Sequence, residues 1–268
     1  MKKPELKELQ DLIFGIFVEF DRICRKHDIR YSMEGGTLLG AVKYGDFVPW
    51  DDDIDVIMLR SEYEKFLSVA PGELGEDYFL QSYHNVPEFP LNYAKLCYTK
   101  SQIYDYSYSH LKQMNHGIFI DIFPIDHVRP DKMKNQIHMV GLLTGARRTK
   151  LNIPAGNIPA WKKVCYRMAA CLPMKVLCRR MDRVCGRYNG EATGFCYEVC
   201  NPNSKFKPLP EGIYQNLTTL RFRDREFWAV SEFDQFLRSR FGEEYMQQLP
   251  PEEQRKPSHC QNILIERG

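Results

Sequence analysis

The residues whose types and spacing could do chemistry are four aspartates in a run of five residues, Asp51, Asp52, Asp53 and Asp55. Alternating acidic and apolar residues over 53–58 predict a strand. On a strand, Asp53 and Asp55 point to the same face with Cα atoms about 6.6–7 Å apart, and Asp51 shares that face if the strand begins early. Carboxylates at this separation can bind a hard divalent cation such as Mg²⁺ or Mn²⁺. A solvated acidic turn is the alternative.

A further acid, Asp121, lies within the apolar segment 117–123. A carboxylate inside so apolar a strand is costly unless it is paired or bound to a metal. We expect Asp121 on a strand beside the first one, where it would supply a third ligand to the same ion. An ion pair with Arg or Lys is the alternative. Asp126 is expected to end this strand and to cap the next segment.

Gly35, Gly36 and Thr37 precede the acidic run and are predicted to open a short helix that extends to Val42. Glycine lets the backbone approach a ligand closely, and the free N–H groups of a first helical turn attract phosphate. Alone the pair of glycines is a weak signal, because it is also common in plain turns. Followed by the acids, it describes a site for metal-assisted transfer at a nucleotide phosphate.

The elements that must position these residues follow from periodicity. Apolar residues at helical spacing predict a helix over 5–27, and Ser61 with Glu64 forms a capping-box pattern that predicts a helix to about Ala70. A last helix is predicted over 231–241. Since helices and strands interleave without a regular βαβ rhythm, we expect an α+β fold with a mixed sheet. Strands are predicted at 30–33, 53–58, 78–82, 93–98, 103–106, 117–123 and 220–222.

Composition limits the classes to which the protein can belong. With 268 residues, 43% of them hydrophobic, the chain can bury a core, which excludes wholesale disorder. No apolar run approaches the roughly 18–20 residues of a membrane-spanning helix, and the N-terminus lacks the apolar stretch of a signal peptide. We therefore expect a cytoplasmic protein. Its nine cysteines, without CxxC pairs, are expected to be reduced thiols and not zinc ligands.

Positive charge is concentrated in residues 132–190, which hold thirteen Lys and Arg against one acid, Asp182. The segment is predicted to be helical, with breaks near 152–159 and at Pro173. Such a charge asymmetry favours an anionic partner, and nucleic acid, lipid headgroups and an anionic polymer or lipid-phosphate substrate all qualify. A solvated helical surface is the plainer alternative.

Several segments resemble one known family. Residues 36–43 with 45–55, residues 117–126 and, less closely, residues 242–252 are similar to the LicD family of phosphocholine transferases, which are relatives of fukutin. The order of glycine pair, Asp-x-Asp strand and third acid is the pattern of the wider nucleotidyltransferase superfamily. The resemblance spans nearly the whole chain and is weakest in the basic segment. One departure is Lys43, where the family is expected to carry arginine.

The resemblance implies a nucleotidyltransferase-like mixed sheet flanked by helices over 1–131, a basic helical insertion over 132–190, and a C-terminal part, 191–268, that packs back on the core. The implied reaction transfers phosphocholine from CDP-choline, or a related group from another CDP-alcohol, to a hydroxyl of a glycan or lipid-linked glycan. Teichoic acid and lipopolysaccharide precursors are such acceptors, and CMP is released.

Residue roles follow from the same resemblance. Mg²⁺ or Mn²⁺ held by Asp53, Asp55 and Asp121 would neutralise the diphosphate and the departing CMP, and one of these acids or Asp51 would orient or deprotonate the hydroxyl. Lys95 could contact phosphate or extend to solvent. The other residues expected to bind substrate are Gly35, Gly36, Thr37 and Lys43. The aromatic candidates for the choline ammonium are Trp50 first, then Tyr83, Tyr93, Tyr98, Tyr104, Tyr106 and Tyr108.

The basic segment would dock on an anionic membrane surface or on a lipid-diphosphate acceptor, which implies peripheral binding at the inner face of the cell membrane. Three alternatives stay open: nucleotide transfer to a polymer or protein on the same fold, a metal-dependent phosphatase, and a nucleic-acid-binding adaptor. No nucleic-acid-binding signature is visible, so no nucleic acid partner is expected. The phosphatase would leave the two glycines unexplained.

Overall fold

The computed structural model describes residues 4–103, 108–154, 156, 158–202, 206–247, 254 and, as backbone, 263–265. Tyr104, Tyr106 and the end of the tail motif at 249–252 lie outside these residues. The helices are α1 Leu6–Lys26, α2 Gly35–Tyr44, α3 Arg60–Val69, α4 Pro130–Lys150, α5 Ala160–Ala170, α6 Met174–Cys185, α7 Glu211–Gln215 and α8 Phe233–Phe241. The strands are β1 Ser32–Met33, β2 Asp55–Leu59, β3 Tyr78–Gln81, β4 Ala94–Tyr98, β5 Ser101–Ile103, β6 Ile118–His127, β7 Phe195–Tyr197, β8 Leu209–Pro210, β9 Leu217–Phe222, β10 Arg225–Val230 and β11 Ile263–Ile265.

A mixed sheet in the order β1-β2-β6-β4-β3 forms the centre of the fold. Strands β2 and β6 are parallel, and the other neighbours along this path are antiparallel. The far end of β6 pairs with β7, which pairs with β8. With helices packed around this sheet, the structure confirms the predicted α+β class and has the form expected of a nucleotidyltransferase-like core.

The first helix packs on this core through aromatic side chains. Phe17 and Phe20 are fully buried on the apolar face of α1, and the ring of Phe17 stacks on that of Phe227 in β10 with centroids 4.0 Å apart. Strand β10 forms a hairpin with β9, of which the sequence analysis predicted only the end of β9. The predicted helix over 5–27 is confirmed, because α1 begins and ends within one residue of those bounds.

Two predicted boundaries are wrong for a shared reason. Strand β2 begins at Asp55, so Asp53 precedes the strand and does not alternate with Asp55 along it. Helix α3 then begins at Arg60, directly after β2, and its N-cap, Leu59, makes no side-chain hydrogen bond, so the Ser61–Glu64 capping box does not form. Because sheet pairing with β6 sets both ends of β2, local patterns could not place them.

The prediction that Asp126 ends its strand is wrong. Asp126 lies within β6, its side chain is 0% exposed, and both of its carboxylate oxygens accept hydrogen bonds from Arg60, at 2.8 and 2.7 Å. The side-chain amide of Asn189 donates a third bond at 2.8 Å. Three charge-assisted bonds offset the cost of burying this carboxylate within the sheet.

The basic segment folds as three helices, α4, α5 and α6, separated near the predicted breaks. A second apolar core between α4 and α6 contains Val140, Leu143, Leu177 and Met181. One of the cations of this segment, Arg147, is wholly buried and donates hydrogen bonds to Asn92 Oδ1 and to the carbonyl oxygen of Phe89. The domain boundaries at residues 131 and 190 stay predictions.

The described cysteines form no disulfide: Cys24, Cys97, Cys185, Cys196 and Cys200 are buried, and the rest are at least partly exposed. Among the residues described, the carboxylate and imidazole ligands and thiols that could share one metal ion form a single group, and it contains no cysteine. No helix within the described ranges is both long enough and apolar enough to cross a membrane.

Candidate active site

Three charged residues face one another across the centre of the sheet. Asp55, the first residue of β2, lies opposite Asp121 in the parallel register with β6, and Lys95 of β4 lies opposite Asp121 on its other side. Residues directly opposite one another share a face of the sheet. The Lys95 Nζ lies 2.7 Å from Asp121 Oδ1, and both side chains are largely buried. The ion pair that the sequence analysis kept as an alternative for Asp121 is therefore present.

A turn before β2 gathers three more carboxylates. Ligand oxygens of Asp51, Asp52 and Asp53 all lie within 4.8 Å of one another, and the amide of Gln10 holds this turn by donating to the Asp51 carbonyl oxygen at 2.8 Å. A Cβ on Gly36 would lie 2.2 Å from Asp51 Oδ2. Since no side chain can occupy that space, Gly36 is what allows the Asp51 carboxylate to lie against the start of α2.

The start of α2 is bonded to the start of β2. The Thr37 hydroxyl accepts a hydrogen bond from the Asp55 N–H at 2.9 Å, and the Glu34 N–H donates to the Asp55 carbonyl oxygen at 3.0 Å. Gly35 has a φ of +51°, a left-handed conformation that glycine adopts without strain. Thr37 is buried, so its hydroxyl positions Asp55, whereas the sequence analysis expected it to contact substrate.

Negative charge accumulates around Asp55. Burial raises the pKa of Asp55 well above its usual range, and the nearby carboxylates of Asp53, Asp121, Glu34 and Asp51 raise it further. A half-buried acid surrounded by other acids favours either a proton or a cation. Hard oxygen ligands as close together as those of Asp51, Asp52 and Asp53 suit Mg²⁺ or Mn²⁺. Of the three predicted metal ligands this group contains Asp53, while Asp55 and Asp121 lie beside each other in the sheet register and their part in metal binding stays a prediction.

A buried ion pair between α8 and Glu34 supports the turn at Gly35 and Gly36, called here the glycine turn. Arg240 of α8 donates to Glu34 at 2.7 Å, and the two side chains are 2% and 8% exposed. The guanidinium also lies over the rings of Phe206 and Phe236. Burial raises the pKa of Glu34, while Arg240 opposes that shift. Arg240 thus fixes the residue that directly precedes Gly35.

Glu198 is a residue of this region that the sequence analysis missed. It is 6% exposed, and burial, with the negative charge of Glu34 as the next cause, raises its pKa to about 8. The sequence contains a pattern that could have identified it. Glu198 is a lone acid in the apolar stretch 195–200, as Asp121 is in the apolar segment 117–123. The two buried carboxyl groups share one nearby cation, Arg240.

Glu198→Gln is expected to flatten the pH dependence of stability. Because the pKa of Glu198 is raised from its ordinary 4.5 to about 8, the folded state favours the protonated acid, and the free energy of unfolding falls as pH rises from 4.5 to 8. Glutamine removes that loss, so the variant should be the more stable protein at pH 8, and the difference should vanish near pH 4.5. Thermal unfolding at half-unit pH intervals measures this.

The matched control is Glu64→Gln, which makes the same change on the exposed surface of α3. Its pH profile should run parallel to that of the wild type. If the Glu198→Gln profile is also parallel, Glu198 does not titrate as described.

The structure also places three other predicted residues, Lys43, Lys95 and Trp50. Lys43 is in the last turn of α2, about 12 Å along the helix from Gly35, and its ammonium donates to the Gln247 carbonyl oxygen at 2.8 Å. The structure therefore does not bring it to the carboxylates. Lys95 is 6% exposed and does not extend to solvent. Trp50 is half-buried directly before the acidic turn.

Comparison with known proteins gives a consistent result. The model of the LicD/FKTN/FKRP nucleotidyltransferase domain matches residues 28–158, which include all the acids of the candidate site described above except Glu198. Over 276 residues, covering 99% of this chain and 100% of the relative, the chain is 29% identical to lipopolysaccharide cholinephosphotransferase LicD of Haemophilus influenzae. A stretch of 28 residues, 10% of this chain and 6% of the relative, is 57% identical to human ribitol 5-phosphate transferase FKRP.

Proposed function

Because this chain carries the nucleotidyltransferase domain of the LicD family, we propose that it transfers phosphocholine from CDP-choline to a hydroxyl of a lipopolysaccharide or teichoic acid glycan and releases CMP. The relative from Haemophilus influenzae, aligned over its full length, is named for phosphocholine transfer connected with lipopolysaccharide. The observation that carries the proposal is the register of Asp55 with Asp121 beside the acidic turn. This arrangement suits a diphosphate substrate bound with a divalent cation.

The carboxylates supply the charge that the reaction requires. Asp53, Asp55 and Asp121 would hold the cation together with Asp51 or Asp52 of the acidic turn. The Lys95 ammonium, 2.7 Å from Asp121 Oδ1, would keep Asp121 in place. A bound Mg²⁺ would offset the negative charge of the diphosphate and of the departing CMP. The backbone N–H groups in the first turn of α2, at Gly36 and Thr37, would attract a phosphate.

In the proposed reaction, the acceptor hydroxyl oxygen forms a bond to the phosphorus that carries choline, and the bond from that phosphorus to the bridging oxygen breaks. CMP leaves with the bridging oxygen, and the hydroxyl proton passes to a carboxylate of the acidic turn. Asp51 and Asp53 are the half-buried members of that turn and so can reach an acceptor from solvent. Trp50, directly before them, offers an aromatic face to the quaternary ammonium.

The proposal is tested by ³¹P NMR of the purified protein with CDP-choline, Mg²⁺ and lipopolysaccharide or teichoic acid as the acceptor. We expect CMP and a new phosphodiester signal, both lost when EDTA replaces Mg²⁺ and both lost in Asp53→Asn. CDP-ethanolamine and CDP-ribitol, run in parallel, test the choice of alcohol. Retention of cytidine on the acceptor would instead establish nucleotide transfer, and turnover unaffected by EDTA would contradict the metal.

A further inference from the structure

Helix α5 presents an apolar stripe to solvent. None of its residues is buried, and its large apolar side chains Trp161, Val164 and Met168 are 64%, 55% and 70% exposed. Spaced by three and then four residues, they lie on one face of the helix. A continuous exposed patch of this kind is uncommon on a soluble surface and marks a site of interaction.

The way α5 packs fixes the direction of that stripe. The ring of Tyr166 lies so close to α4 that a Cβ on Gly145 would be 2.4 Å from its nearest atoms. At 100° per residue, Tyr166 is about 140–160° around the helix from the three exposed residues. The face held by α4 is therefore nearly opposite Val164 and Met168, while Trp161 is exposed at the edge of the cavity between α4 and α5.

The surroundings of the stripe are positively charged. Helix α5 itself carries Lys162, Lys163 and Arg167 and no acid, and the Lys162 ammonium lies 5.6 Å from the centre of the Trp161 ring. Helix α6 adds four more cations. Its single acid, Asp182, accepts a hydrogen bond from the Tyr83 hydroxyl and lies 3.6 Å from His84. This carboxylate therefore contacts residues outside the basic segment.

A basic groove continues this surface between α4 and α6. Its volume is about 800 Å³, and Ala169 of α5 is one of its lining residues. Its apolar lining includes Met139, Leu142 and Leu172, and its cations are Arg129, Lys132, Arg180, Arg183 and Arg187, against one acid, Glu191. Apolar and basic groups thus alternate over both the helix and the groove beside it.

We propose that α5 is a membrane-docking helix: Trp161, Val164 and Met168 enter the interfacial region of a bilayer rich in anionic lipid, and the surrounding Lys and Arg side chains bind the lipid phosphates. An exposed apolar face with Trp, flanked by Lys and Arg, is the pattern of a helix that lies in the plane of a membrane interface. A surface with many cations and hardly any acids complements a uniformly anionic sheet better than a protein partner of mixed charge.

The exposed stripe on α5 contains none of the residues of the candidate active site. Helix α5 contacts α4 at Gly145, and the residues of the site lie on α2, β2, β4 and β6 and in the turn before β2. The inference therefore does not depend on the identity of the transferred group, and its failure would leave the proposed reaction untouched.

The test is co-sedimentation of the full chain with vesicles of phosphatidylcholine alone and with vesicles containing 30% phosphatidylglycerol. We expect binding to the anionic vesicles only, and we expect it to weaken as NaCl rises from 50 to 500 mM because salt screens the contacts. Trp161→Ser with Met168→Ser should lower vesicle affinity at least tenfold. Since these side chains are exposed, thermal stability should not change.

Met246→Ser is the matched control, because Met246 is also about half exposed but lies elsewhere on the surface. Fluorescence gives a second readout: bromine-labelled lipid should quench wild-type emission, and the quenched component should disappear in Trp161→Phe, which leaves Trp50 and Trp228 in place.

Three outcomes would overturn the proposal. One is equal binding by the Trp161→Ser, Met168→Ser variant and the wild type. Another is binding to neutral and anionic vesicles alike. The third is a dimer that the double substitution dissociates in the absence of any vesicle binding, which would assign the stripe to contacts between two copies of the chain.

Discussion

Asp55→Asn is expected to lower the rate of phosphocholine transfer by about 10²–10⁴-fold while making the protein more stable. The loss of rate follows because the carboxylate would help to hold the cation at the diphosphate, and preorganised charges of this kind typically contribute that much. The gain in stability follows because burial and four neighbouring acids raise the pKa of Asp55 well above its usual range. Ionised Asp55 therefore destabilises the folded state.

The size of the stability effect depends on pH. Below the ordinary pKa of aspartate, near 4, the carboxyl is protonated in both folded and unfolded chains, and the variant should match the wild type. At pH 7 to 8 the wild type bears the cost of a partly buried charge among other acids or of taking up a proton. Asparagine has neither cost, so a melting temperature several degrees higher is expected there, measured by calorimetry without metal.

The matched control is Asp77→Asn, which removes a partly exposed carboxylate that pairs with Lys100 at 2.7 Å. It should leave both the rate and the pH profile unchanged. A fully active Asp55→Asn enzyme would remove Asp55 from the site. A variant that fails to fold would show that the acid is structural.

Asp126→Ala is expected to produce the largest loss of stability of any single change described here. The substitution would leave the Arg60 guanidinium buried without either of its two carboxylate contacts, at 2.8 and 2.7 Å, and would remove the partner of Asn189. Breaking one side of a buried ion pair costs about 3–5 kcal/mol, and a change of that size would lower the melting temperature by roughly 10 °C.

A second variant separates the charge from the space it fills. Replacing both partners, Arg60→Met with Asp126→Leu, should recover most of the lost stability, because two apolar groups of similar volume leave no buried charge unpaired. Urea unfolding of the two single variants and the double variant forms a double-mutant cycle. Additive losses would contradict the description of this pair. Transfer activity per folded molecule should change little in any of the three.

The parts of this fold that the sequence predicted are those set by local patterns. Helix α1 follows from its apolar period, β6 from its apolar run, and the exceptional position of Asp121 from being the acid inside that run. The same reasoning applied to Glu198 would have found it. The approach of Asp51 to Gly36, by contrast, depends on a turn whose path no period describes.

What the sequence could not predict depends on strand register and on contacts between distant residues. Whether Lys95 would face solvent or Asp121 is decided by the pairing of β4 with β6, and a shift of one residue would have reversed the answer. Asp126 and Arg60 are 66 residues apart. The start of β2 at Asp55 is likewise set by its partner strand, which is why Asp53 was placed on the strand in error.

The contact between Arg240 and Glu34 has a consequence for the order in which the protein is made. These residues are 206 positions apart, so a ribosome adding about 5–20 residues per second needs roughly 10–40 s to synthesise Arg240 after Glu34. During that interval the nascent chain holds its buried glutamate without the guanidinium that offsets it. The glycine turn therefore reaches its final position only after Arg240 has been synthesised, and chains that stop before this residue should be unable to complete the site.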